Sequence, residues 1–124
     1  MAGHRIFIVI ENPKERMEYT RHFEALGFLV DATPDGSDAI EFVSETKPLL
    51  TIADVATPGF SAKGFLDQTN SSDYFSPVIL TSDEPVVEHA VQLMKLGAMD
   101  YLVKPVSLEQ LEWCAKRAVT LKNQ

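Results

Sequence analysis

Five short apolar segments, each followed by a stretch with helical spacing, constrain the fold of this chain more than any other feature. The predicted strands are residues 6–10, 28–30, 49–53, 77–81 and 101–103. Continuous apolar runs rich in β-branched residues are typical of strands that are buried on both faces of a parallel sheet. Five strand–helix units in succession therefore predict a doubly wound α/β fold with helices on both faces of the sheet.

Cap and breaker residues indicate where the first three helices begin and end. Asn12 is a good N-cap and Pro13 suits the first helical position, so a helix begins here and ends before Gly27. Ser37 is expected to cap the second helix. A third helix follows the third strand, and the polar stretch 69–73 is interpreted as a loop.

The fourth and fifth helices also have start signals. Asp83 is expected to cap the fourth helix, and Gly97 closes it. Ser107 and Gln110 match the capping-box pattern and open the last helix. An apolar helix face ordinarily faces the core, and on the fourth helix this face consists of Val87, Val91 and Met94.

The order of the strands predicts where the functional site lies. Right-handed crossovers leave few topologies, and the flavodoxin-like order 2-1-3-4-5 is the common one for five units. In such sheets ligands bind outside the carboxyl ends of the strands, at the switch point between the first and third strands. The polar residues that the sequence puts at these ends are Glu11, Asp54, Thr81 and Lys104.

These four residues suit the chemistry of a phosphoryl group. A carboxylate such as Asp54 at the end of a buried strand is unfavourable unless a cation compensates it. Lys104 supplies one positive charge, and at ~4 Å and an effective dielectric near 20 the pair is worth about 4 kcal/mol before desolvation. With the hydroxyl of Thr81 and a Mg²⁺ ion, the group can stabilise phosphoryl transfer onto Asp54.

Length, charge and cysteine content narrow the class of protein. The chain has 124 residues, the size of one domain, and we expect residues 1–124 to form a single domain. Its net charge of -7 disfavours direct binding of nucleic acid. Cys114 is the single cysteine and is expected to be a buried packing residue. Without an apolar run of membrane-spanning length, we expect the chain in the cytoplasm.

Three motifs connect the chain to a known family. They are Asp-x-x-x-Pro at residues 54–58, the fourth strand with its Thr-Ser end at residues 77–82, and the run Gly-Ala-Met-Asp-Tyr-Leu-Val-Lys-Pro at residues 97–105. With these motifs at the observed spacing, the chain resembles the receiver domains of bacterial two-component response regulators over nearly its whole length.

The resemblance assigns roles to individual residues. It implies that Asp54 is the phospho-acceptor, charged by a histidine kinase or a phosphotransfer protein. It implies that Thr81 is the switch hydroxyl and that Tyr101 is the coupled aromatic residue. Lys104 is expected to pair with a phosphoryl oxygen, and the bond between Lys104 and Pro105 is expected to be cis.

The resemblance also implies a magnesium site, from which this sequence departs. Glu11, Asp54 and the backbone carbonyl of Ala56 are the expected ligands. The family usually ends the first strand with two acids, but Ile10 occupies the place of the first of them. We therefore expect weak Mg²⁺ binding. A small insertion is also expected in the loop 59–63, beside the site.

The loss of an acid leaves two functional alternatives open. One is a phosphorylation-dependent receiver and the other is a pseudo-receiver, an interaction module that signals without phosphate. A small-molecule enzyme is disfavoured because the chain has no Gly-rich phosphate loop. The family's output face, formed by the fourth helix, fifth strand and fifth helix, is expected to bind an output domain, a partner protein or a second copy. On this face we expect Val86, His89, Lys95, Tyr101, Glu109 and Trp113.

Overall fold

The computed structural model describes residues 3–70 and 76–123 of the chain. Five parallel strands form one sheet in the order β2-β1-β3-β4-β5, which confirms the predicted flavodoxin-like topology. The strands are β1 (Arg5–Val9), β2 (Leu29–Thr33), β3 (Leu50–Asp54), β4 (Val78–Ser82) and β5 (Asp100–Val103). The helices are α1 (Pro13–Ala25), α2 (Ala39–Thr46), α3 (Ala62–Asn70), α4 (Val87–Lys95) and α5 (Leu108–Lys122).

Two apolar cores cover the two faces of the sheet. On one face Ile8 and Ile52, which are partners in the β1–β3 register, pack with residues of α1 and α5. On the other face their neighbours Val9 and Ala53 pack with residues of α2 and α3. Successive residues of a strand alternate between faces, so the register fixes which side chains meet at the carboxyl edge.

The predicted caps of α1 and α5 are confirmed. The side chain of Asn12 accepts a hydrogen bond from the backbone N–H of Glu15 at 2.9 Å. Gly27, with a φ of 95°, follows the end of α1. The hydroxyl of Ser107 accepts a hydrogen bond from the backbone N–H of Gln110 at 3.1 Å. Cys114 lies in the core between α5 and the sheet, as predicted.

The predicted caps of α2 and α4 are wrong. Ser37 precedes the cap residue of α2, and its backbone N–H donates to the side chain of Asp35 at 2.7 Å, which forms a local turn. Asp83 does not cap α4, which begins only at Val87. The hydroxyl of Ser82 instead accepts a hydrogen bond from the N–H of Glu84 at 3.0 Å, so a turn precedes the helix.

Two predicted boundaries also differ from the structure. β2 continues to Thr33 because its backbone pairs with the whole of β1. The expected loop at 69–73 is wrong for its first two residues, since α3 runs to Asn70. The hydroxyl of Thr69 donates to the carbonyl of Phe65 at 2.9 Å, and this bond keeps the polar side chain compatible with a helix. Residues 71–73 lie outside the described residues.

The apolar face predicted for α4 does not face the core. Val87, Val91 and Met94 are 72%, 46% and 42% exposed. The residues that pack against the core here are Leu93 of α4 and Leu96, which directly follows the helix. Both sets of residues have helical spacing, so the sequence pattern alone did not show which set is buried. None of the described helices is long and apolar enough to cross a membrane.

The loop after β3 is packed tightly against the loop after β2. The backbone N–H of Gly36 donates to the carbonyl of Pro58 at 2.8 Å. Gly59 has a φ of 76°, and a Cβ on it would lie 2.4 Å from the hydroxyl of Ser37. A residue other than glycine is therefore disfavoured at this position, both by its backbone conformation and by the lack of space.

Candidate functional site

Three of the predicted site residues meet at the carboxyl edge of the sheet. Asp54 ends β3, and its register partner on β4 is Thr81. Both follow the α1/α5-side core residues of their strands by two positions, so their side chains leave the sheet on that same face. Lys104 follows β5 directly, and the peptide bond between Lys104 and Pro105 is cis.

Asp54 is buried, and both of its carboxylate oxygens have hydrogen-bond donors. The Nζ of Lys104 donates to Oδ2, and the backbone N–H of Ala56 donates to Oδ1 at 2.9 Å. Burial by itself lowers the pKa of Lys104, but the hydrogen bond and charge of Asp54, with those of Glu15, outweigh it and leave the pKa raised. Lys104 therefore remains a cation beside the carboxylate.

Two further carboxylates approach the same ammonium group. Glu15 Oε1 lies 3.3 Å from Lys104 Nζ, and Asp83 Oδ1 lies 3.9 Å from it. The Glu15 side chain is 25% exposed and that of Asp83 is 75% exposed. Glu15 was missed in the sequence analysis. Its signal was an acidic residue in the first turn of a helix that begins at the carboxyl edge, three residues after the Asn12 cap.

Thr81 presents a buried hydroxyl to this group. The residue is 0% exposed, and its Oγ1 makes no hydrogen bond to any part of the chain that the structure describes. A buried hydroxyl without an acceptor is uncommon in folded proteins and calls for an explanation. An acceptor oxygen arriving at Asp54 would supply one.

The end of β1 does not carry the pair of acidic side chains that is usual in the family. Ile10 is 0% exposed and packs in the core on the α1/α5 side of the sheet. The side chain of Glu11 is exposed. One nitrogen of Arg16, Nη1, donates to the backbone carbonyls of Ile10 and Glu11, both at 2.8 Å.

Tyr101 lies beside a cavity on the other side of the site. The residue is partly exposed on β5 and borders a space of about 450 Å³. The segment between β4 and α4 forms one wall of this cavity, and α4 forms another. The residues around Tyr101 in this cavity include Val55, Ala56, Ser82, His89 and Leu93.

The donor atoms at this edge suit a magnesium ion. Residues 3–70 and 76–123 contain no group of three or more His, Cys, Asp or Glu side chains arranged to hold a metal. Mg²⁺ does not need such a group, because it binds through one or two carboxylates, waters and phosphate oxygens. Oε1 of Glu15 is buried and shares the Lys104 ammonium group with Asp54, so a second carboxylate lies near the Asp54 side chain.

The family is decided by the match along the chain. The family model described as "Response regulator receiver domain" matches residues 6–115. This chain belongs to the response regulator receiver family. Receiver domains are signalling domains that act with histidine kinases and output domains, and phosphorylation-dependent switching is their general role.

The curated relatives of this receiver domain are longer proteins. Regulatory protein AtoC of Escherichia coli is 29% identical over 98% of the chain, which covers 26% of AtoC. Two-component response regulator PhoP of Pseudomonas aeruginosa is 34% identical over 76% of the chain, and the matched region covers 41% of PhoP. The chain thus spans less than half the length of either relative.

Solved receiver domains share the fold. A signal receiver domain from Vibrio parahaemolyticus superposes with a TM-score of 0.85 at 28% identity, covering 96% of this chain and 95% of that one. The receiver domain of the Francisella response regulator 1452 gives a TM-score of 0.87 at 20% identity, covering 97% and 99%. The second likeness concerns the fold alone.

Proposed function

We propose that this receiver domain accepts a phosphoryl group on Asp54 from a histidine kinase or a phosphotransfer protein, and that the modification switches an output surface. The observation that carries the proposal is the buried hydroxyl of Thr81 beside the ion pair of Asp54 and Lys104. A nucleophilic carboxylate, a cation and a hydrogen-bond donor on one face are the groups that phosphoryl transfer requires.

In the proposed reaction a carboxylate oxygen of Asp54 attacks the phosphorus atom. A bond forms between that oxygen and phosphorus while the bond from phosphorus to the donor's leaving atom breaks. Lys104 then turns from the carboxylate to a phosphoryl oxygen, and Thr81 donates its hydrogen bond to another. Bound Mg²⁺ would neutralise charge on the phosphoryl oxygens, with Glu11, Asp54 and the Ala56 carbonyl as its proposed ligands.

The proposed switch uses the cavity next to Tyr101. As Thr81 moves toward the phosphoryl group, Tyr101 turns into the adjoining space of about 450 Å³. This motion changes the surface formed by α4, β5 and α5, which we propose as the docking site for an output domain, a partner protein or a second copy. Residues exposed on α4 and α5 include His89, Lys95, Glu109 and Trp113.

We also propose that residues 1–124 act as one receiver domain whose signal is read by an output domain on the same or another chain. With a net charge of -7, the domain itself is not expected to bind nucleic acid directly. Its chemistry is proposed to be limited to forming and losing the phosphoryl group on Asp54.

The end of β1 favours a second candidate function, a phosphorylation-independent pseudo-receiver. Ile10 is buried in the core, and Arg16 occupies the carbonyls of Ile10 and Glu11. With Ile10 in the place of an acid, the expected metal site has one acidic charge fewer. A pseudo-receiver would use the same fold as an interaction module.

Acetyl phosphate with Mg²⁺ tests the proposal. The wild type should gain the mass of one phosphoryl group, located on Asp54 by peptide mapping. Asp54→Asn should gain none, because it lacks the nucleophilic oxygen. Asp67→Asn, at an exposed position on α3, is the matched control and should react like the wild type.

The alternative makes a different prediction. Failure of the wild type to react, together with reaction of Ile10→Asp, would identify a pseudo-receiver that lost its activity with the first acid. Reaction at a residue other than Asp54 would contradict both readings of the site.

A further inference from the structure

We propose that Glu15 replaces the acid missing at position 10, supplying from helix α1 the negative charge that the divalent cation of the site requires. The inference rests on the proposed function, because that function calls for a cation at Asp54. Nothing in the family motifs pointed to this position.

The start of α1 places Glu15 at the site. The Asn12 side chain accepts the hydrogen bond from the backbone N–H of Glu15 at 2.9 Å, which fixes the first turn of the helix. From that turn Oε1 of Glu15 reaches to 3.3 Å from Lys104 Nζ. Asp54 bonds the same ammonium group, so Glu15 and Asp54 share a single cation.

Glu15 has a buried oxygen that must share its positive charge with another carboxylate. Oε1 is ion-paired with the Lys104 ammonium at 3.3 Å, and Asp54 bonds the same ammonium group. A buried carboxylate is unfavourable unless positive charge compensates it, and here one cation serves two carboxylates. Thr81, fully buried on the same face as Asp54, has a hydroxyl oxygen without a partner among residues 3–70 and 76–123. The Thr81 hydroxyl thus marks the place of a missing acceptor oxygen, and the Glu15 carboxylate beside it has only a share of one ammonium group.

The charges at the site point to a divalent cation. Lys104 has three carboxylates within 4 Å, those of Asp54, Glu15 and Asp83. One positive charge against three negative charges leaves a surplus of two negative charges. Without Glu15 the surplus is one, and most of that belongs to the solvent-exposed Asp83, where water screens it.

The position of Ile10 explains why the acid comes from the helix. Ile10 is completely buried among apolar residues, where a carboxylate would need a bound cation to compensate its charge. Arg16 already holds the two carbonyls at the end of β1. A side chain from the first turn of α1 reaches the same edge without entering the core. With Glu15 on α1 and Ile10 on the strand side, the site keeps its negative charge and the core gains an apolar side chain.

Binding of Mn²⁺ to the full 124-residue chain tests this inference without any phosphoryl chemistry. Electron paramagnetic resonance measures free Mn²⁺ in solutions of the wild type, Glu15→Gln and Glu18→Gln. Glu15→Gln should weaken Mn²⁺ binding about tenfold, a typical loss for a group that supports a metal site. Glu18→Gln removes the same charge from an exposed position on the same helix and should change binding less than about twofold.

A second measurement needs no variant. In amide NMR spectra of the wild type, a low ratio of Mn²⁺ to protein should first broaden the signals of residues 14–16 and 54–56. Equal affinities for the wild type and Glu15→Gln, or equal losses in both variants, would overturn the inference. Absence of Mn²⁺ binding by the wild type at millimolar concentration would overturn it too. The proposed function is judged separately, by the phosphoryl adduct on Asp54.

Discussion

The hydroxyl of Thr81 is a group that the folded chain would be more stable without. It is fully buried and has no acceptor within the part of the chain that the structure describes. Leaving a buried polar group without a partner costs about 1–3 kcal/mol. Packing near the carboxyl end of β4, between the neighbouring strands β3 and β5, outweighs that cost. The group is therefore held in place by the fold and remains available to an incoming acceptor.

Replacing Thr81 with valine should stabilise the domain. Valine keeps the branched shape and removes the hydroxyl, so we expect the free energy of unfolding to rise by about 1 kcal/mol. Urea unfolding followed by circular dichroism measures the change. Thr57→Val is the matched control. The hydroxyl of this buried threonine donates to the carbonyl of Val9 at 3.1 Å, so its loss should destabilise the domain by a similar amount. A loss of stability in Thr81→Val would show that its hydroxyl is satisfied.

Glu15 shows what a sequence cannot convey about a site. Asp54, Thr81 and Lys104 could be predicted because each lies at the carboxyl end of a strand or directly after it, and parallel strands bring these ends to one edge. The reach of Glu15 depends on how α1 crosses the sheet and on the rotamer that its side chain adopts. The sequence specifies the cap of this helix but not its angle to the sheet.

Helix α4 has apolar residues on two sides, and the structure distinguishes their roles. Leu93 packs against the core, whereas Val91 is 46% exposed. Leu93→Ala should lower the free energy of unfolding by about 1–2 kcal/mol, since its side chain is partly buried. Val91→Ala should change it by less than about 0.5 kcal/mol. Thermal unfolding of the two variants measures both changes in stability. A larger loss for Val91→Ala would contradict the structure and support the buried face expected from the sequence.

The elements were predictable to different degrees. Residues 6–10 and 77–81 form buried apolar runs, so β1 and β4 were predicted almost to their ends. β2 lies at the edge of the sheet and contains Asp31, so its composition gave little sign of its length. The start of α4 was missed because Asp83 has the composition of a cap residue, yet the Ser82–Glu84 turn intervenes. Local composition thus predicted the elements better than their ends.

The stability of the whole domain should fall at alkaline pH. Burial, followed by the negative charge of Glu15, raises the pKa of Tyr19 to about 12 from its usual 10.0. Glu18 and Asp54 raise it further, while Lys104 opposes them. A raised pKa in the folded state means that the unfolded chain loses its proton first. The stabilisation from neutral Tyr19 is therefore complete below pH 10 and is lost as the pH rises toward 12.

Tyr19→Phe isolates this contribution. Phenylalanine keeps the buried ring and lacks the titrating hydroxyl. At pH 7 the two proteins should have similar stability, which is the internal control. Between pH 10 and 12 the wild type should lose about 2 kcal/mol more than the variant, measured by urea unfolding at each pH. The raised pKa of Lys104 acts in the same direction and remains in both proteins. Parallel curves for the two proteins would contradict the assignment to Tyr19.

The topology of the whole molecule was the most predictable feature. Alternating strands and helices, together with the handedness of crossovers, left the order β2-β1-β3-β4-β5 as the expected solution. Sequence motifs then indicated the edge at which Asp54 and Lys104 meet. The distribution of charge around Lys104 was not predictable, because Glu15 in α1, Asp54 at the end of β3 and Asp83 after β4 meet only in the folded chain.

The hydrogen bond between Gly36 and Pro58 restrains one side of the site, whereas the side next to Tyr101 borders a cavity. The loop that follows Asp54 is tied to the β2–α2 loop by this hydrogen bond and has no space for a Cβ at Gly36 or Gly59. Beside Tyr101 the same site borders open volume. A strain introduced at Asp54 would relax more easily toward the open side. We therefore expect a local change at Asp54 to displace α4 and β5 more than the loop between β2 and α2.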